Sequence, residues 1–88
     1  MFLKLNIKDN VGIYLGGNKI FYTNNKKHTI NLKIPYGHKF ALKNITKNNF
    51  IIKYGEIIGK AKKDIKIGIH VHIHNMIWCK NIMEYENI

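Results

Sequence analysis

Alternation of apolar and polar residues at a period of two, cut at short intervals by turn formers, is what most constrains this chain. Leu3, Leu5 and Ile7 alternate with Lys4, Asn6 and Lys8, and Ile30, Leu32 and Ile34 alternate with Thr29, Asn31 and Lys33. Successive side chains of a strand point to opposite faces, so both segments predict half-buried strands. Turn signals follow one another about every eight to twelve residues, the spacing of a compact all-β domain. They are Asp9-Asn10, Gly16-Gly17-Asn18, Asn24-Asn25-Lys26-Lys27 and Pro35-Tyr36-Gly37. VGIYL, KIFYT, KFAL, FIIKY, EIIGKA and IHVHIH predict further short strands, and no window carries a helical period.

The centre of the chain, from Ile34 to Asn75, also repeats itself. At an offset of 20, Ala41, Lys43, Asn44, Ile45 and Ile51 return as Ala61, Lys63, Asp64, Ile65 and Val71. Asn48 then aligns with Gly68, and both residue types tolerate a left-handed backbone. The echo predicts two similar turn-then-strand units with KYGEIIG between them.

Eighty-eight residues make one small domain with a limited core. Its 45% hydrophobic content argues against disorder, and its apolar runs are too short for a membrane span. The first residues lack the apolar core of a signal peptide. A single cysteine, Cys79, excludes an internal disulfide; a buried, inert thiol in a cytoplasmic protein is the expectation. The net charge of +10 raises nucleic acid as a partner, with Tyr14, Phe21, Tyr22, Phe40 and Phe50 as stacking faces. Against this, all fifteen basic residues are lysine, and arginine, the usual reader of phosphate and guanine, is absent. Lysine, asparagine and isoleucine are abundant together, which reads as a compositional bias with a solvated lysine surface.

His70, His72 and His74 occupy alternate positions of a predicted strand and so share a face. A rise of about 3.3 Å per residue separates neighbours by about 6.6 Å and the outer pair by about 13 Å. Two adjacent imidazoles can reach one metal from that spacing, whereas all three cannot on a flat strand. Further ligands would come from His38, from Glu56 or from a partner. Neutral imidazole suits zinc, iron, copper or nickel, while protonated histidine suits anions and proton transfer. The plain alternative is an exposed polar strand face. His38 follows Gly37 in a tight turn, where a glycine lets the backbone pass close to another chain or a ligand. Lys39 points the other way and could pair with an anion. Tyr54-Gly55-Glu56 forms a turn, and with so many lysines Glu56 reads first as a salt-bridge partner. His28 carries no assignment.

IPYGHKFAL, IIKYGEIIGKAKKDI and HVHIHN together resemble the SAF domain of the altronate and galactarate dehydratases, a group that includes sulfolactate sulfo-lyase small subunits. The resemblance runs from about Asp9 to Asn75. It implies a small β-clip fold over residues 1–75, with 76–88 as a C-terminal tail, either a final strand or a short helix, that could contact a partner. It also implies dehydration of an altronate- or galactarate-like acid, or sulfite elimination. A divalent metal, iron in this family, would be shared with a large catalytic subunit. Fused members continue past this point into a catalytic domain, so a separate small subunit, inactive alone, is the expectation. His38, Lys39, Tyr54, Glu56 and Asn75 become candidates for facing substrate or subunit, and His72 and His74, with His70 weaker, for metal. Two departures stand out. Asn48 replaces a glycine at the first turn, and Ile69 replaces an acidic residue before HVH, which removes a negative charge near the histidines. The competing expectations are a nucleic-acid-binding β module and a stand-alone binder of metal or sugar acid.

Overall fold

The computed structural model describes residues 2–4 and 6–78. Eight strands and no helix occur among them: β1 (Phe2–Leu3), β2 (Val11–Tyr14), β3 (Ile20–Thr23), β4 (Lys26–Thr29), β5 (Lys39–Ala41), β6 (Phe50–Lys53), β7 (Glu56–Ala61) and β8 (Met76–Trp78). All pairings are antiparallel. The sheets run β1-β2-β5, β3-β4 and β6-β7-β8. This is the all-β architecture of short strands and tight turns expected of a small β-clip domain.

The echo in the sequence is a pseudo-dyad in space. Ile45 and Ile65 exchange both backbone hydrogen bonds across it, at 2.7 and 2.8 Å. Asn44 Oδ1 accepts from Ile67 N at 2.9 Å, and Asp64 Oδ1 accepts from Lys47 N at 2.8 Å. Asn48 N donates to Ala61 O and Gly68 N donates to Ala41 O, at 2.9 and 2.8 Å. Asn48 and Gly68 both take the predicted left-handed conformation, with φ of 74° and 86°. At Gly68 there is a second demand, because a Cβ would lie 2.1 Å from Thr29 O.

Two cores result. Val11, Ala41, Ile45, Ile51, Ala61, Ile65, Val71 and Met76 pack along the dyad. Tyr14, Phe21, Ile30, Ile34, Phe40 and Leu42 form the other. Phe40 stands edge-on to Phe2 and Phe21 there, at 5.5 and 5.3 Å between ring centroids. Tyr14, Phe21 and Phe40 are thus core residues and offer no face to a nucleobase, while Tyr22 and Phe50 are exposed.

Four local expectations are corrected. The first strand stops at Leu3, because residues 6–8 turn: Asp9 N donates to Asn6 O, and Asp9 Oδ2 accepts from Asn6 N. Leu5 lies outside the described residues. The Asn24–Lys27 turn shrinks to Asn24-Asn25, both at positive φ, with Lys26 and Lys27 already in β4. The strand read over 29–34 ends at Thr29. Beyond it, Lys19 Nζ draws the carbonyls of Asn31, Leu32 and Ile34 around itself at 3.4, 2.6 and 2.9 Å, which curls the segment. The histidine segment is likewise no strand, with a single bridge, His70 to Phe40, before a turn. Met76–Trp78, the head of the expected tail, is a strand and completes the β6-β7 sheet. Cys79 and the rest of the tail lie outside the described residues.

Candidate functional site

The turn that replaces the histidine strand gathers its imidazoles. Asn75 N donates to His72 O at 3.0 Å, closing the turn. The Asn75 amide then holds the preceding backbone from both ends, accepting from His72 N at 2.9 Å and donating to His70 O at 2.7 Å. Ring centroids of His70 and His74 end up 5.8 Å apart, less than half the separation expected for a flat strand. His70 and His72 stack at 5.2 Å.

His38 joins them from another part of the chain. Gly37, at φ 84°, donates to Tyr14 O at 2.7 Å, and His38 O accepts from Tyr14 N at 2.9 Å. The turn is thereby pinned to β2. Nothing lies within 4 Å of a Cβ placed on Gly37, so that glycine serves the backbone angle and not a close approach within the chain. His38 Nδ1 then lies 3.0 Å from His70 Nε2, one ring donating and the other accepting. His38 also stacks with His72 at 5.8 Å.

Lys39 leaves the same turn at the start of β5, half-buried, with its Nζ 5.8 Å from the centroid of the exposed Trp78 ring. Burial, and secondarily the charge of Lys53, hold its ammonium below the usual lysine range. Lys53 itself lies over the Tyr54 ring at 5.0 Å. His70 is pushed down to about 4 by burial, then by His38, His72, His74 and Lys39. It is therefore uncharged at neutral pH, chiefly because burial disfavours the imidazolium.

The sequence candidates separate accordingly. His38, Lys39, His70, His72 and His74 come together. Asn75 is 1% exposed with its amide bonded to backbone on both sides, so it shapes the turn. Tyr54 and Glu56 lie at the β6–β7 hairpin, where the Glu56 backbone stands opposite Lys53 in the strand register. Among the described residues, the charges acting on His70 do not include Glu56. Lys53 and Trp78 were missed; one is among fifteen similar lysines and the other fell in the tail.

Among the described residues, no three of His, Cys, Asp and Glu are placed to hold one metal ion. His38 and His70 each engage a ring nitrogen with the other, which takes two donors out of play. The described residues therefore form no metal site by themselves, and the divalent metal that the resemblance implies would need ligands from outside them. His74 is exposed and His38, Lys39, His70 and His72 are partly so, while cavities of about 420 and 210 Å³, the first beside Asp9 and Tyr22 and the second between Ile45 and Ile65, are lined by no histidine.

Fold and site together describe a small β module that presents a partly exposed, imidazole-rich face beside Lys39. The chain belongs to the altronate/galactarate dehydratase SAF domain family, whose model matches residues 1–78. It is 40% identical to altronate dehydratase of Escherichia coli (strain K12) over 78 residues, covering 84% of this chain and 16% of that protein. It is 49% identical over 52 residues to the (2R)-sulfolactate sulfo-lyase subunit alpha of Paracoccus pantotrophus, covering 59% of this chain and 73% of that protein. A galactarate dehydratase (L-threo-forming) of Escherichia coli matches at 38% over 69 residues, 76% of this chain and 13% of that protein. The chain thus spans about a sixth of the altronate dehydratase it matches. Among the described residues, no helix is long and apolar enough to cross a membrane.

Proposed function

We propose that this chain is the accessory unit of a sugar-acid lyase of the altronate or galactarate dehydratase type, completing the active site of a separate catalytic subunit and inactive alone. The observation that carries this reading is the assembly of His38, His70, His72, His74 and Lys39 on a partly exposed face of a dehydratase-family domain. The relatives support it: one is named as a subunit of a lyase, and in another the matching part is a small share of a longer chain.

Dehydration of a hydroxy acid removes a proton beside the carboxylate and expels a group from the next carbon. It needs a cation at the carboxylate, a base, and exclusion of water. Lys39 meets the first need. His70, uncharged at neutral pH and hydrogen-bonded to His38, offers a neutral imidazole that can hydrogen-bond a substrate, and the base is left to the partner. The third need is unmet on a partly exposed face, which is the reason to expect a second protein over it. Paired carboxylates are also lacking in the motif. In this reading a divalent metal of the assembled enzyme takes its main ligands from that partner, and no step is assigned to it here.

The test is recovery of partners by the tagged chain in its native host, read by mass spectrometry, followed by lyase assays of the pair and of the chain alone. Co-purification of a dehydratase-like protein, with activity only in the pair, is expected. Recovery of nucleic acid alone, lost at high salt, would favour the lysine surface instead and sink the subunit reading.

A further inference from the structure

Asp9 is the acid that the fold hides from water: among the described residues no other carboxylate is buried, and Asp9 is 4% exposed. Its carboxylate accepts from Asn6 N at 3.2 Å and from Gly55 N at 2.8 Å. A carboxylate has about four lone-pair sites, so acceptor capacity is left over. Among the described residues no lysine pairs with it, in a chain that has fifteen. A buried carboxylate with spare capacity calls for a donor.

The place for that donor is the larger cavity, whose wall includes Asp9. Three segments meet there. The start of the chain supplies Lys4 and Asp9, the tip of the β3–β4 hairpin supplies Tyr22 and Thr23, and the residues after β5 supply Leu42 and Lys43. Its volume of about 420 Å³ lies within the range of small-ligand sites, about 300–1,000 Å³. The wall is also held in shape. Thr23 Oγ1 lies 2.6 Å from His28 Nε2, the His28 ring packs on Phe21 at 5.3 Å between centroids, and Leu42 is buried.

Each chemical type on this wall takes a different part of a ligand. The ammonium groups of Lys4 and Lys43 suit a phosphate, which lysine binds as a point charge. A buried carboxylate suits ribose hydroxyls, which donate to it. The ring of Tyr22, exposed although it lines the cavity, suits the face of a flat base. We propose that this cavity is a binding site for a nucleoside monophosphate, with the phosphate on Lys4 and Lys43, the ribose hydroxyls on Asp9 and the base on Tyr22. No histidine lines the cavity, so the site is separate from the histidine face and does not rest on the lyase reading.

The test is titration of the full chain with AMP by calorimetry, with amide NMR shifts followed at Thr23 and Lys43 and, on the histidine face, at Val71. Saturable binding with shifts at Thr23 and Lys43, and none at Val71, is expected. Adenosine, ribose phosphate and AMP lacking both ribose hydroxyls each forgo one of the contacts, and each should bind about tenfold more weakly. Tyr22, Lys4 and Lys43 are exposed, so their variants keep the fold. Tyr22→Ala and the double variant Lys4→Gln/Lys43→Gln should each weaken AMP about tenfold or more. Lys33→Gln/Lys63→Gln removes the same charge outside the cavity and should change affinity by no more than about twofold. No saturable binding of AMP, equal affinity for ribose phosphate, shifts centred on Val71, or an equal loss in the Lys33→Gln/Lys63→Gln variant would overturn the proposal.

Discussion

Asn75 and Asn10 each do with one amide what a strand pairing does elsewhere, satisfying a backbone carbonyl and a backbone N–H two residues apart. Both side chains are buried, so truncation leaves polar groups without partners. Asn75→Ala and Asn10→Ala are each expected to cost about 2–4 kcal/mol in urea unfolding. Only Asn75→Ala should also spread the histidine rings, seen as loss of the contact between His38 and His70 by NMR. His70 makes a pH prediction. Its folded pKa of about 4 lies below the ordinary 6.5, so between those values the unfolded chain binds the proton more readily. Its contribution to stability is therefore complete above about pH 6.5 and is lost as pH falls towards 4. The thermal midpoint of the native chain should drop across that window more steeply than that of His70→Gln.

At the scale of elements, the turns were the most legible part of the sequence. Asn24-Asn25, the Pro35–Gly37 turn and the Asn48/Gly68 pair fall where residue chemistry put them, because left-handed backbone is a local demand that few residues meet. Strand ends were less legible. Ile30, Leu32 and Ile34 alternate like a strand, yet Leu32 is exposed and the segment curls, because the cation that organises it, Lys19, is more than ten residues away. The histidine segment failed the same way: period-two spacing fits a strand, but the amide of Asn75 turns it. Five members of the cluster were nonetheless named from sequence, since His38 and Lys39 follow a turn and His70, His72 and His74 alternate. Lys53 and Trp78 carry no local signal. Two substitutions check the element-level account. Gly68→Ala places a Cβ against Thr29 O and should prevent stable folding, whereas Gly37→Ala meets open space and should cost only the backbone strain, about 1–2 kcal/mol. Lys19→Met should lose about 2 kcal/mol, because Leu32 O and Ile34 O lose the ammonium donor and Asn31 O keeps only Ile34 N.

For the molecule as a whole, the dyad ties the two halves into one cooperative unit. Ile45 and Ile65 bond across it, Phe40 bridges to His70, and the shared core draws on both halves. Unfolding followed by Trp78 fluorescence, in the β6-β7-β8 sheet, and by near-ultraviolet dichroism of the tyrosines and phenylalanines around Phe40 should give one midpoint. Phe40→Ala should lower both signals together, by about 3–5 kcal/mol. Separate midpoints would mean that the halves fold independently.

The paired amides of Asn10 and Asn75 have a consequence for how such a domain acquires new chemistry. Since the clasp grips main chain alone, the side chains at 70, 72 and 74 are released from any duty to the architecture. A lineage can rewrite them one at a time, from greasy to imidazole and onward, while every intermediate still folds. The domain is in that sense a holder with an interchangeable tip, and its sister half carries Phe50, Ile52 and Tyr54 where the tip carries three histidines.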